Sequence, residues 1–203
     1  PLFVKDSVED IIGKPEIIGK VKAAVAPPEQ RLIENNPHGN LIADAMRNEL
    51  GTDIAILNAG NIRGNFSEGT VDSRLISDIT PFEDKMWIIG LSEKQIVDAI
   101  NVGLKSLTKS SNNPVMLLVS GLKYNANKQV DVLDFEFIDK NNQVHKIDVK
   151  NPDPNKKYTV AADDFFATGG DGYLESNKNP DFVLQKFDMD KNKLACDYIK
   201  KMD

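Results

Sequence analysis

Three glycine-bearing loops hold the side chains of this sequence best suited to ligand chemistry. The first spans residues 31–40, Arg31-Leu32-Ile33-Glu34-Asn35-Asn36-Pro37-His38-Gly39-Asn40, and leads into a helix. A helix N-terminus offers unpaired N–H groups and positive potential, which suits an anion. Arg31 adds a fork of donors matched to phosphate or carboxylate. The plainer alternative makes Arg31 half of a surface ion pair and Asn40 the helix cap. The second loop, residues 58–64, follows a short apolar strand, and ligands collect at the carboxyl ends of strands in open α/β sheets. Gly60 and Gly64 permit a tight turn and close approach to a ligand. Asn58 both donates and accepts hydrogen bonds, and Arg63 again suits an anion. Its alternative is a structural turn with a solvated arginine. The third loop spans residues 163–173. Gly169 and Gly170 permit positive φ, which holds Asp171 where its carboxylate can accept from two vicinal hydroxyls. Phe165 offers a flat face to a planar ring, whereas Phe166 reads as core. Here the alternative is two core phenylalanines beside a simple turn.

Strands and helices must position these loops. Leu41, Ile42, Ala45, Met46 and Leu50 form a helical stripe ending at Gly51, a C-terminal cap. Ile54-Ala55-Ile56-Leu57 is a short buried strand, and residues 85–91 form another. Ser92-Glu93-Lys94-Gln95 is a capping box opening a helix that carries Ile96, Val97, Ile100, Leu104 and Leu107. Residues 106–113 form a polar loop and residues 115–119 an apolar strand, with a turn and return over 121–124. Leu133, Phe135 and Phe137 alternate with acidic residues as in a strand, and a turn at 139–142 joins them to 144–149 as a hairpin. Residues 158–162 form a strand, and a helix near 190–202 closes the chain. Ile11, Ile12, Ile17, Ile18, Val21 and Val25 predict one or two short amphipathic helices before Pro27-Pro28. The class is α/β (α+β) with mixed sheets.

The 203 residues suffice for one domain with a real core. A net charge of −6 argues against nonspecific nucleic-acid binding, which needs a basic face. A single cysteine, Cys196, excludes an intrachain disulfide and a cysteine-based metal cluster. No apolar run is long enough to span a membrane. The start Pro1-Leu2-Phe3-Val4 is no signal peptide, and the expectation is a piece of a longer protein.

Five segments in register resemble the C-terminal domain of the 5′-nucleotidase family, which includes bacterial UDP-sugar hydrolases, 2′,3′-cyclic-nucleotide phosphodiesterases and animal ecto-5′-nucleotidase. They are Arg31-x-x-Glu34 leading to Gly39-Asn40-Leu41-Ile42-Ala43-Asp44-Ala45; Asn58-Ala59-Gly60-Asn61-Ile62-Arg63; Pro81-Phe82; Ser120-Gly121-Leu122-Lys123-Tyr124; and the run from Phe165 to Tyr173. The resemblance implies a four-layer α/β/β/α fold over residues 29–203, with residues 1–28 a lead-in helix or linker from an N-terminal metallophosphatase domain. It implies that Arg31 and Arg63 grip phosphate and that Asn58 contacts the ligand. Phe82 and Phe165 would sandwich the base, with Asp171 on the ribose hydroxyls and Gly60 and Gly170 in the binding loops. The ligand would be a nucleotide or an adenosine-like nucleoside.

The family often writes three glycines where this chain has Ala59-Gly60-Asn61. A third phosphate arginine has no motif here; Arg47 and Arg74 are candidates. His38 and His145 lie far apart without metal-ligand spacing, so this chain is expected to hold no cofactor and to be inactive alone. Two divalent metal ions would sit in the N-terminal domain of the parent. The resemblance implies a periplasmic, cell-surface or extracellular parent. The competing reading is a free-standing nucleoside-binding module.

Overall fold

The run Ile54-Ala55-Ile56-Leu57 has no polar position, a pattern suited to a strand covered on both faces. The computed structural model describes residues 14–29, 34–107, 116–126, 132–139, 141–178 and 180–202. Its strands are β1 (Ile17–Val21), β2 (Ile54–Asn58), β3 (Gly69–Asp72), β4 (Lys85–Ser92), β5 (Leu117–Ser120), β6 (Leu122–Ala126), β7 (Val132–Ile138), β8 (Val144–Lys146), β9 (Lys157–Asp163) and β10 (Val183–Asp190). Its helices are α1 (Pro37–Leu50), α2 (Ser73–Ile79), α3 (Glu93–Ser106), α4 (Asp164–Ala167) and α5 (Lys191–Lys200).

A five-stranded sheet in the order β10-β4-β9-β2-β5 forms the centre. β2 and β9 run parallel, and every other pairing in it is antiparallel. β6, β7 and β8 make a second, antiparallel sheet, while β1 pairs with β3. The class is therefore α/β with mixed sheets.

Alternation along β2 divides the core in two. Ala55 and Leu57 face Ile42 and Met46 of α1, Ile76 of α2, Leu194 and Ile199 of α5, and Ile18 of β1. Ile54 and Ile56 face the side that holds Ile96 and Ile100 of α3 with Phe135 and Phe137 of β7. Phe137 meets Tyr158 of β9 edge-on, with ring centroids 4.2 Å apart. The three-stranded sheet and α3 thus both contribute to the core on this side of the central sheet.

The ends of the helices follow their chemistry. Asn36 caps α1, its side chain accepting from the His38 and Gly39 N–H groups at 3.0 and 3.3 Å, and Pro37 occupies the first turn. Asn40 is therefore inside the helix and is not its cap. Gly51 closes α1 at φ 62°, and Ser92 with Gln95 forms the expected capping box of α3.

Residues 17–21 correct the expectation of a lead-in helix. They form β1, with Ile18 buried and Ile17 71% exposed. β-Branched residues around Gly19 favour a strand, and β3 supplies a partner edge. Ile11 and Ile12 lie outside the described residues. Arg47 is corrected as a phosphate candidate: its guanidinium donates to the carbonyls of Asp53 and Ile138 at 2.8 and 2.7 Å, tying α1 to β7. Arg74 is half-buried in α2.

Gly121 makes the room that Arg47 needs. Its φ is 74°, and a Cβ there would lie 2.5 Å from Arg47 Nε and 2.6 Å from the Asp53 carbonyl. Gly121→Ala combines left-handed strain with overpacking and lowers stability by about 2–4 kcal/mol. Urea denaturation checks it; a loss below about 1 kcal/mol contradicts the reading, because ordinary surface changes stay within that range.

Candidate functional site

The parallel pairing of β2 with β9 sends both strands out at one end of the sheet. β4 runs against β9, with Met86 opposite Asp163, so β4 begins where β9 finishes. Asn58 ends β2, Asp163 ends β9 ahead of α4, and Phe82 lies just before β4. Loops far apart in sequence therefore converge at one edge. The Lys85 N–H donates to Asp164 Oδ1 at 3.1 Å, directly joining two of them.

Asn58 is buried and donates from Nδ2 to Asp171 Oδ2 at 3.4 Å, so two predicted ligand contacts are neighbours. Its Oδ1 accepts from Asn61 Nδ2. Residues 59–61 form a single 3-10 turn, and neither Gly60 nor Gly64 has positive φ. Closeness explains both glycines instead: a Cβ on Gly60 would lie 3.2 Å from Asn58 Nδ2, and one on Gly64 would lie 3.3 Å from the Asp78 carbonyl. Arg63 is exposed, its guanidinium carbon 5.3 Å from the centre of the half-buried Phe82 ring. That contact is a cation–π pairing worth about 0.5–1 kcal/mol at an exposed site. Arg31 lies outside the described residues.

The third loop separates its two phenylalanines. Phe166 is 1% exposed and packs near Tyr173, whereas Phe165 is 38% exposed. Gly169 has φ 89° and Asp171 φ 53°, but Gly170 does not have positive φ, which corrects that expectation. A Cβ on Gly170 would lie 2.6 Å from Phe165 Cε1 and Cζ, so only glycine lets the turn lie on the ring. Asp171 tolerates the left-handed region better than most side chains. A shallow, largely open depression lies beside Phe165, lined also by Asp84, Trp87, Asp164, Thr168, Lys178 and Lys186.

Beneath these groups lies a polar cluster that sequence reasoning missed. Asp163 is 1% exposed; its Oδ1 accepts from the Phe166 N–H at 2.9 Å, capping α4. Its Oδ2 lies 3.4 Å from Asn61 Nδ2 and 3.8 Å from Lys191 Nζ. Asn61 thus turns inward. Lys191 is wholly buried and reaches Asp84 Oδ2 and the Phe82 carbonyl, each at 3.3 Å. The only sequence trace of Asp163 was its place at the start of the third loop, and Lys191 left none.

Among the described residues no three His, Cys, Asp or Glu side chains converge as a metal site. His145 bonds Asp139 at 2.8 Å and stacks on Phe137, and His38 Nδ1 accepts from the Phe66 N–H at 3.2 Å. Both histidines serve the fold. No described helix is long and apolar enough to cross a membrane.

Burial pushes the Asp163 carboxyl up to about 6, against the pull of the Lys191 ammonium and the Phe166 N–H. The folded state then holds this proton more tightly than the unfolded chain, whose ordinary value is 3.8. The contribution of Asp163 to stability therefore falls as pH rises from about 4 through about 6 and stays lost above that. Urea melts across this window show a steeper decline for the native chain than for Asp163→Asn; parallel profiles contradict it.

The family described as 5′-nucleotidase, C-terminal domain, matches residues 17–176. Trifunctional nucleotide phosphoesterase protein YfkN of Bacillus subtilis (strain 168) is 27% identical over 83% of this chain and 12% of its own length. Protein UshA of Escherichia coli (strain K12) is 25% identical over 77% of this chain and 26% of its own. The chain thus spans about a quarter or less of these relatives. The crystal structure of a 5′-nucleotidase precursor from Thermus thermophilus shares the fold, with a TM-score of 0.77 at 22% identity, over 99% of this chain and 39% of that one. With the matched span and the fold in agreement, this chain belongs to the family of 5′-nucleotidase C-terminal domains.

Proposed function

We propose that this domain holds the nucleoside part of a nucleotide for a hydrolytic parent enzyme. The base stacks between Phe82 and Phe165, the ribose hydroxyls bond to Asp171 beside Asn58, and Arg63 with Arg31 takes the phosphate. The observation that carries this reading is the exposed Phe165 ring lying on Gly170, next to an Asp171 held at φ 53°. An exposed aromatic face beside a rigidly held carboxylate matches a ring joined to a diol. Arg63 lies over Phe82, which puts a cation next to one of the two rings. The Arg63–Phe82 contact is weak enough to give way to a phosphate, whose charge-assisted bonds are stronger.

Ester hydrolysis belongs, on this reading, to an N-terminal metallophosphatase domain of the parent. Two divalent ions held there would supply an activated water and charge stabilisation for the leaving oxygen. The contribution of this chain is orientation: it fixes base and ribose so that the phosphate end projects from the site. The same reading gives the parent a periplasmic, cell-surface or extracellular location.

Calorimetric titration of this chain with adenosine and AMP tests the reading. Phe165→Ala and Phe82→Ala each weaken adenosine binding by about 1–3 kcal/mol, the range for one stacked base. Phe165→Ala leaves the fold nearly as stable, far from the roughly 3–5 kcal/mol lost when a core phenylalanine is truncated. Arg63→Ala weakens AMP by about 1–3 kcal/mol and spares adenosine. Unfolding of Phe165→Ala, or equal losses for AMP and adenosine in Arg63→Ala, overturns the corresponding assignment.

A further inference from the structure

Lys191 is the fully buried cation beneath the candidate site, and its position is costly. An ammonium is rarely found without solvent contact unless paired. Lys191 is also the first residue of α5, where the helix dipole disfavours positive charge. Local partners must offset both costs, and they come from the two loops that carry the aromatic rings. On one side Lys191 Nζ lies 3.3 Å from the Phe82 carbonyl and 3.3 Å from Asp84 Oδ2. On the other it lies 3.8 Å from Oδ2 of Asp163, the cap of the helix that carries Phe165. Beyond Asp163 the contacts continue through Asn61 and Asn58 to Asp171. One ammonium therefore stands at the junction of both rings and the ribose carboxylate.

We propose that Lys191 is a positioning residue for the nucleoside clamp, holding the Phe82 loop at a fixed separation from the Asp163 cap beneath Phe165. The inference rests on the nucleoside-binding reading of this site. The competing role is neutralisation of Asp163 alone, and the two roles differ at the Phe82 carbonyl. A neutraliser becomes dispensable once Asp163 is uncharged. A positioning residue does not, because the loop carbonyl has still lost its donor.

Lys191→Met, Asp163→Asn and the double variant are compared by adenosine titration, urea denaturation and hydrogen exchange at the Lys85 amide, which bonds Asp164 across the two loops. Lys191→Met lowers adenosine affinity at least about fivefold, the lower bound for losing one stacked face, and speeds exchange at that amide. The double variant buries no unpaired charge and regains stability, yet keeps the weak affinity and the fast exchange. It also carries the test should Lys191→Met alone fail to fold. Recovery of both affinity and slow exchange in the double variant overturns the proposal, as do unchanged affinity and exchange in Lys191→Met. Failure of the native chain to bind adenosine or AMP instead brings down the nucleoside reading, and exchange at the Lys85 amide then decides separately whether Lys191 anchors the loop.

Discussion

The parallel pairing of β2 with β9 is the constraint on which the rest of this structure depends. Parallel neighbours cannot be joined by a hairpin, so the chain between them must leave the sheet and return. That excursion contains β3 to β8, and it lets β4 insert antiparallel to β9 on the far side. As a result the ends of β2 and β9 and the start of β4 share one edge. Asn58, Phe82, Asp163 and Phe165 meet there although long stretches of chain separate them. Both faces of β2 are covered, which is why its sequence alternates nothing and reads as a plain apolar run.

At that edge the molecule buries polarity under exposed aromatic surface. A buried ion pair seldom adds net stability, because desolvation offsets most of the Coulomb attraction. The Asp163–Lys191 pair fits that pattern, since burial raises the Asp163 carboxyl despite the nearby ammonium. Its physical effect is geometric: several donors and acceptors from four segments satisfy one another in one arrangement. Asp171 adds local strain of the same kind, held at φ 53° between two glycines. Rings and carboxylates on a framework so determined lose little freedom when a ligand arrives.

Much of this was legible in the chain itself. Hydrophobic periodicity located α1, α3, β2, β4, β7 and β9, and the caps at Gly51 and Ser92 followed from residue type. The strand β10 was not legible, because an edge strand with Leu184 61% exposed and charged neighbours carries no alternation. β1 was misread as helical, since five residues sample too little of either period and only the partner β3 decides between them. The glycines show the same limit. Positive φ was expected at Gly170, whereas the Phe165 ring pressing on it is what excludes a side chain.

Sequence alone thus determined the fold class, the identity of the glycine loops and the residue types suited to ring, diol and anion, because these depend on local preference and composition. Only the tertiary structure decided that Arg47 serves the fold by bonding two carbonyls, that Asn61 turns inward toward Asp163, and that Lys191 lies beneath Phe82. Each of those depends on contacts between segments distant in the chain. Burial, desolvation and long-range hydrogen bonding are properties of the assembled sheet, and no local pattern of residues encodes them.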